Sequence, residues 1–161
     1  MRTGLCALAV CLLVGAAPAA EEMGFYGWGL RLGVGDDPDQ ILVGVHQDFG
    51  EFVENLRFQP SLDLGFGDDH TVVSAVLPVH YRFPGHSSAT PYVGGGLLLA
   101  WIDRDPPGRG GGASEFEIAP LLAGGVEWPI RETGDALLEI QIPGADAHDA
   151  KVFVGWIFRA R

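Results

Sequence analysis

The stretch from residue 54 to residue 67 reads ENLRFQPSLDLGFG, and it decides the fold. Its apolar residues fall on alternate positions, which are Leu56, Phe58, Pro60, Leu62, Leu64 and Phe66. The positions between them carry Asn55, Arg57, Gln59, Ser61, Asp63 and Gly65. Successive side chains of a β-strand point to opposite faces, so this period of two predicts a strand with one apolar and one polar face. A run this long and this two-faced favours a strand that crosses a bilayer, with lipid on one side and a polar lumen on the other.

The first twenty residues are organised as a secretory signal peptide. Arg2 precedes an apolar stretch from Leu5 to Val14, and Ala17-Pro18-Ala19-Ala20 supplies an Ala-x-Ala cleavage site. The apolar stretch is too short to span a membrane as a helix. We therefore predict a cleaved signal peptide at residues 1–20 and one barrel domain at residues 21–161.

Composition excludes several classes of function. The net charge of −11 disfavours nucleic acid as a partner, because phosphate binding requires basic patches. Both cysteines, Cys6 and Cys11, lie in the predicted signal peptide, so the mature chain has no disulfide or cysteine nucleophile. The chain is 47% hydrophobic, yet no later stretch is long and apolar enough for a membrane-spanning helix. An exported, apolar, cysteine-free chain of this kind fits a β-barrel.

Turn-forming residues divide the mature chain into eight predicted strands. These strands are Gly24–Gly35, Gln40–Phe49, 54–67, Thr71–Phe83, Thr90–Ile102, Glu115–Ile130, Ala136–Ile142 and Lys151–Arg159. Thr90–Ile102 is apolar on both faces, so its orientation stays open. An even strand number with a periplasmic N-terminus places the inner turns near 50–52, 84–89 and 131–135. The expected fold is all-β: an eight-stranded, antiparallel, up-and-down transmembrane barrel.

Aromatic residues fall near the ends of the predicted strands, as is typical of membrane–water interfaces. Those expected near the periplasmic ends are Tyr26, Trp28, Phe49, Tyr81, Phe83, Trp128, Trp156 and Phe158. Those expected near the outer ends are Phe66, Trp101 and Phe116. The two groups predict an aromatic girdle at each interface.

The segment Thr90-Pro91-Tyr92-Val93-Gly94-Gly95-Gly96-Leu97 resembles one that small outer-membrane barrels of the OmpA, OmpX and OmpW type carry after a periplasmic turn. The resemblance extends to the signal peptide and to the hairpin spacing across residues 24–161. It implies a monomeric eight-stranded barrel in a bacterial outer membrane, in contact with lipid and lipopolysaccharide. Barrel-insertion machinery is the implied partner during biogenesis. Such barrels commonly end in an aromatic residue, whereas here Phe158 is followed by Arg159-Ala160-Arg161.

Charged residues on the inward faces of the strands form the main candidate site. They are Arg31, Arg57, Arg82, Lys151 and Arg159, with Asp48, Asp63, Glu117, Glu127 and Glu139. The interior of an eight-stranded barrel is only wide enough for side chains, so these charges are expected to be paired. Glu127 and Glu139 are expected at the depth of Arg57. Asp63 and Glu117 are expected at the depth of Arg31.

Three other groups of residues carry weaker signals. Gly85-His86-Ser87-Ser88-Ala89 resembles a nucleophile elbow, but the strand-to-helix turn that the elbow needs is missing, which favours a polar turn. Acidic outer loops such as Asp68-Asp69-His70 have ligands for Ca²⁺ or Mg²⁺, but no loop has EF-hand spacing, which favours solvated charge. His46 and His80 are expected to be hydrogen-bonded inside the barrel. No catalytic residue, metal or cofactor is predicted.

The function predicted from the sequence is a non-enzymatic outer-membrane barrel with a structural or surface-interaction role and a polar, ion-paired lumen. One alternative is a narrow pore for small solutes or ions. A second is a periplasmic barrel that binds a small apolar ligand, which requires the face of Leu56, Phe58, Leu62 and Leu64 to point inward. A lipid-modifying enzyme is the last alternative.

Overall fold

The computed structural model describes residues 24–36, 39–84, 88–104, 113–131, 134–144 and 150–159. The predicted signal peptide lies outside these residues. The strands are β1 Gly27–Gly35, β2 Gln40–Asp48, β3 Glu51–Val53, β4 Leu56–Phe58, β5 Ser61–Phe66, β6 His70–Arg82, β7 Thr90–Arg104, β8 Ala113–Arg131, β9 Gly134–Pro143 and β10 Lys151–Arg159. Within the described ranges, no helix has the length and apolarity needed to cross a membrane.

The ten strands form one closed antiparallel sheet with eight positions around the ring. We call each position a stave, whether one strand or two consecutive strand segments occupy it. β3 continues the line of β2, and β4 and β5 together form the stave between β2 and β6. The other staves pair with their neighbours along the chain, and β1 pairs with β10 from Gly27↔Arg159 to Gly35↔Lys151 to close the ring. Closure pairs backbone groups that a sheet edge would leave exposed. The predicted eight-stranded, up-and-down barrel is confirmed.

The two ends of the barrel differ in their connections. We call the end where β1 begins and β10 ends the terminal end, and the opposite one the distal end. At the terminal end, the hairpin between the second and third staves turns at Glu54–Asn55, where Asn55 has a φ of 65° and its N–H donates to Glu51 Oε2 over 2.9 Å. The predicted turn near 50–52 is wrong. Gly50, with a φ of 77°, bends the strand there without reversing it, because glycine adopts this conformation without steric cost.

Within residues 54–67, the segments Leu56–Phe58 and Ser61–Phe66 form β4 and β5, with a break at Gln59–Pro60. Leu62 points outward and is 59% exposed, whereas Asp63 beside it points inward and is 2% exposed. The same alternation holds from Leu56 to Phe66. The alternative of a barrel with this apolar row inside is therefore wrong.

The orientation of β7, which the sequence left open, follows from its register with β6 and β8. Tyr92 pairs with Arg82 on one side and with Gly125 on the other. Tyr92, Leu98 and Ile102 consequently point inward and are buried, while Trp101 points outward and is 52% exposed.

Glycines on the inward rows make room for large polar side chains. A Cβ atom placed on Gly44 would lie 1.9 Å from Asp63 Oδ1, and one on Gly29 would lie 2.2 Å from His46 Nε2. Because the lumen of an eight-stranded barrel is narrow, a large side chain on one stave needs a small residue on the next. The glycines therefore position the charged side chains of the lumen.

We predict that Gly44→Ala destabilises the barrel by about 1–3 kcal/mol, because the added methyl group displaces the Asp63 carboxylate from its place. Urea titration of the folded barrel measures the loss. Gly124→Ala is the matched control, since the nearest atom to its Cβ is Tyr92 O at 3.6 Å, an ordinary contact. Equal unfolding midpoints for the two variants would contradict the prediction.

Candidate functional site: the charged lumen

Arg31 is the centre of the first buried ion-pair cluster. Its Nε and Nη2 donate to the two Asp63 carboxylate oxygens over 2.7 and 2.5 Å. Nη2 also donates to Ser61 Oγ over 2.6 Å, and Nη1 donates to Glu139 Oε1 over 3.0 Å. The guanidinium carbon lies 4.2 Å from the centroid of the Phe153 ring, a cation–π contact. One arginine on β1 thus joins carboxylates from β5 and β9 across the lumen.

Glu139 receives further hydrogen bonds that complete this cluster. Tyr92 Oη donates to Glu139 Oε2 over 2.7 Å, and Gln141 Nε2 donates to Oε1 over 2.7 Å. His80 Nε2 lies 3.8 Å from Oε2, beyond hydrogen-bond distance, and the His80 ring packs on Tyr92 with 4.7 Å between centroids. Each Glu139 oxygen therefore has at least one donor, as a buried carboxylate requires.

Arg57 is the centre of a second cluster, closer to the terminal end. Its Nη1 donates to both carboxylate oxygens of Glu127 over 2.8 Å, and its Nε and Nη2 bind Asp48. Arg82 extends the cluster more loosely, at 3.4 Å from Glu51 and 3.5 Å from Glu127. Arg57 and Glu127 are each 5% exposed, whereas the Arg82 side chain is 32% exposed. The cluster becomes more solvated towards the mouth of the barrel.

A third ion pair lies at that mouth. Arg159 Nε and Nη2 donate to the Asp135 carboxylate over 2.8 and 2.5 Å, and the Arg159 side chain is 55% exposed. An open cavity of about 310 Å³ extends from this pair down to Arg57. Water therefore reaches the second cluster from the terminal end.

Towards the distal end, the lumen is largely apolar on the side of β6, β7 and β8. The buried residues that fill it are Val72, Val76, Leu98, Ala100, Ile102 and Leu121. Val72 and Ile102 lie two residues from the distal ends of β6 and β7. The predicted polar lumen is therefore only part of the interior, because β6, β7 and β8 contribute apolar side chains to both faces.

Two residues of the predicted charge network, Glu117 and Lys151, lie outside the two ion-pair clusters described above. Glu117 is exposed, because β8 extends beyond the packed lumen at the distal end, so its predicted place in the network is wrong. Lys151 is buried on the inward face, at the distal start of β10. Glu139 binds Arg31 and not the Arg57 cluster, because strand tilt in a closed barrel shifts depth from stave to stave.

Ten of the predicted girdle aromatics lie on the outer wall, exposed or half-buried. Seven lie towards the terminal end and three towards the distal end, with ring contacts such as Trp28–Phe158 at 4.8 Å and Tyr81–Phe83 at 5.2 Å. Tyr26 instead packs on Gly50 and lines the terminal cavity. The ten are Trp28, Phe49, Phe66, Tyr81, Phe83, Trp101, Phe116, Trp128, Trp156 and Phe158.

The weaker candidates gain no assembled site. His86 and Ser87 lie outside the described residues. Asp68, Asp69 and His70 lie at the distal end, and in the described part of the chain no three His, Cys, Asp or Glu residues are grouped as metal ligands. His46 is buried at 4% exposure beside Gly29.

Sequence reasoning missed Tyr92, Ser61 and Asp135 as members of the lumen clusters. The sequence around Tyr92 carries no signal for its direction, because Gly94, Gly95 and Gly96 place small residues on both faces of the strand. In the sequence, Gly134 indicates a turn that includes Asp135. In the structure, β9 already begins at Gly134, so Asp135 lies within the strand.

We predict that Arg31→Met lowers the free energy of unfolding by about 3–5 kcal/mol, because it leaves Asp63 and Glu139 buried without their cation. Urea unfolding followed by tryptophan fluorescence measures this loss. Arg104→Met is the control: its pair with Glu115 has side chains 55% and 62% exposed, so we expect a change within about 1 kcal/mol. A loss for Arg31→Met no larger than the control's would contradict the prediction.

Neither protein-family models nor curated protein sequences give a match to this chain. Solved structures, in contrast, give several matches. Neisserial surface protein A aligns with a TM-score of 0.65 at 14% identity, over 87% of this chain and all of that one. The N-terminal barrel domain of OprF from Pseudomonas aeruginosa aligns with a TM-score of 0.64 at 15% identity, over 85% of this chain and 99% of that one.

Ail, the attachment invasion locus protein of Yersinia pestis, aligns with a TM-score of 0.55 at 11% identity, over 83% of this chain and 94% of that one. All three similarities extend over nearly the whole barrel, and at these identities they concern the fold. The chain therefore has the closed, eight-stranded barrel fold of the small outer-membrane proteins.

Proposed function

We propose that this protein is an integral barrel of a bacterial outer membrane, reached by signal-peptide-dependent export, with a structural or surface-interaction role and no enzymatic activity. Outer-membrane lipid and lipopolysaccharide surround it, and it acts as a monomer. The observation that carries the proposal is the inverted distribution of polarity, with apolar side chains on the outer wall and charges inside.

The outer wall supports a lipid environment. Ile41 and Leu122 are each 64% exposed, Leu62 is 59% exposed, and apolar residues occupy the outward rows of every long strand. A water-soluble protein rarely exposes contiguous apolar surface larger than a few hundred Å². In a bilayer, the same surface matches its surroundings, and the aromatic residues at both ends lie where membrane interfaces favour them.

The packed interior supports a closed barrel over a pore. Two ion-pair clusters around Arg31 and Arg57 occupy the lumen, and the apolar residues around Val76 and Leu98 occupy its distal part. An ion crossing this path would have to break buried salt bridges and then pass these buried apolar side chains, which is costly.

The state of the buried carboxylates supports a non-enzymatic role. Asp63, Glu127 and Glu139 each accept hydrogen bonds from an arginine, and Asp48 does so as well. Carboxylates held in buried ion pairs of this kind are typical of a structural role in a packed interior. The terminal cavity is lined largely by such ion pairs, and among the described residues its lining contains no Ser, Thr, Cys, His or Lys side chain.

Three measurements test the proposal together: gel mobility, carbonate extraction of membranes that contain the protein, and conductance of the refolded protein. We expect the folded barrel to migrate differently from the boiled chain on a denaturing gel, and to stay in the membrane fraction after carbonate extraction. We also expect no discrete conductance steps in planar bilayers. Release by carbonate would overturn the membrane assignment, and regular conductance steps would overturn the closed lumen in favour of a narrow pore.

We predict that Leu32→Lys lowers the stability of the membrane-inserted barrel by about 2–4 kcal/mol, because it places a charge near the middle of the apolar wall. Ser114→Lys, on the outward row near the distal end of β8, is the control and should cost at most about 1 kcal/mol. Unfolding in lipid vesicles measures both. In water, Leu32→Lys would cost little, so equal effects of the two variants would count against a lipid-facing wall.

A further inference from the structure

The outer wall has a groove that the proposed function does not use. It measures about 550 Å³ and crosses β1, β2, β5 and β6 towards the terminal end. Trp28, Leu62 and Leu77 form its sides and are 46%, 59% and 42% exposed. Pro60 and Ala75, which have short side chains and are half-buried, form its floor.

The floor of the groove is low because the residues that form it have short side chains. On the outward row of β6, Ala75 stands between the larger Val73 and Leu77, and it pairs with Leu62 on β5. Pro60 lies in the break between β4 and β5, where its carbonyl accepts the Gln47 N–H over 2.9 Å. The depression is therefore built into adjacent staves and does not depend on a loop.

The groove is elongated along the strands. Val45, Gln47 and Phe49 line it as successive outward residues of one stave, which extends over about 13 Å at the rise of a β-strand. Trp28 and Phe49 belong to the aromatic group at the terminal end. Because strands of a membrane barrel tilt by roughly 35–45°, the groove runs from this interface towards the middle of the membrane.

We propose that this groove binds one acyl chain of a phospholipid from the leaflet at the terminal end, an inference that rests on the membrane location proposed above. The groove runs from the interface towards the middle of the membrane, as a lipid chain does. Its exposed side chains are apolar except that of Gln47, since His46 and Ser61, which also line it, are only 4% and 5% exposed. Gln47 lies on the otherwise apolar outward row of Ile41, Val43 and Val45, at the interfacial end. Its amide has donors and an acceptor for the ester or headgroup of the lipid whose chain fills the groove.

The shape favours a chain over a second protein surface. A site that takes a flexible chain needs an apolar channel with few polar groups, as ligand sites generally have. Association of barrels through their walls would need two matching surfaces, whereas the sides of this groove project on both flanks of a narrow floor. Binding of a second copy of this chain at the groove is therefore the alternative result, and the test must be able to detect it.

Native mass spectrometry of the full mature barrel tests the site. The refolded protein in dodecyl maltoside is titrated with palmitoyl-oleoyl phosphatidylethanolamine, and the fraction carrying one lipid is measured. Ala75→Phe fills the floor, and Ala75→Leu is a milder second variant in case the first folds poorly. Val73→Phe is the matched control, since it also enlarges a side chain of the same outward row but lies outside the groove.

We expect the unmodified barrel and Val73→Phe to retain one lipid, and both Ala75 variants to bind it more weakly, by about tenfold for Ala75→Phe, because the displaced methylene groups lose their apolar contacts. Equal binding by all four proteins, or none by the unmodified barrel, would overturn the site. A protein dimer that Ala75→Phe abolishes would overturn it in favour of a contact between copies. The gel shift of each variant shows whether it has folded, and only folded variants are compared. The absence of a gel shift for the unmodified barrel would instead count against the proposed function.

Discussion

The structure depends on the burial of two arginines in a lumen that has room only for side chains. Arg31 binds Asp63 and Glu139, each two staves away, and Arg57 binds Asp48 and Glu127. A buried ion pair adds little net stability compared with apolar packing, but removing one partner is severely destabilising. The main effect of these ion pairs is therefore on the specificity of strand pairing. A slip of one residue in any pairing would turn its charges towards the outer wall, so the ion pairs select one register for the whole ring.

The remaining features of the interior follow from the space that these side chains need. Inward glycines such as Gly44 and Gly29 lie where a Cβ atom would collide with Asp63 or His46. The distal part of the lumen is filled on the side of β6, β7 and β8 by Val76, Leu98 and their neighbours, while Lys151 is buried at the distal start of β10. The barrel thus has a solvated, charged terminal mouth, a buried ion-paired middle and a distal part that is largely apolar on one side. This order accounts for a closed interior together with an open cavity at one end.

Much of the architecture could be predicted because the period of two is a local property of the chain. The alternation at residues 54–67 assigned Arg57 and Asp63 to the inside, and the structure buries both. It failed for β7, where both faces are apolar and no local signal gives the direction of Tyr92. It also failed at Gly50, because a glycine in the left-handed region serves equally for a turn and for a bend within a strand.

The sequence by itself determined the strand number, the up-and-down order and the face on which most residues lie, since these depend on alternation and on turn residues. Only the tertiary structure decided which charges meet. Residues at equal distances from their strand ends lie at different depths in a tilted, staggered barrel, so Glu139 reaches Arg31 while Glu117 lies beyond the packed lumen. The depth of a side chain is a property of the closed ring, and no single strand contains it. The groove above Ala75 has the same origin, because its floor and sides come from four staves that only closure brings side by side.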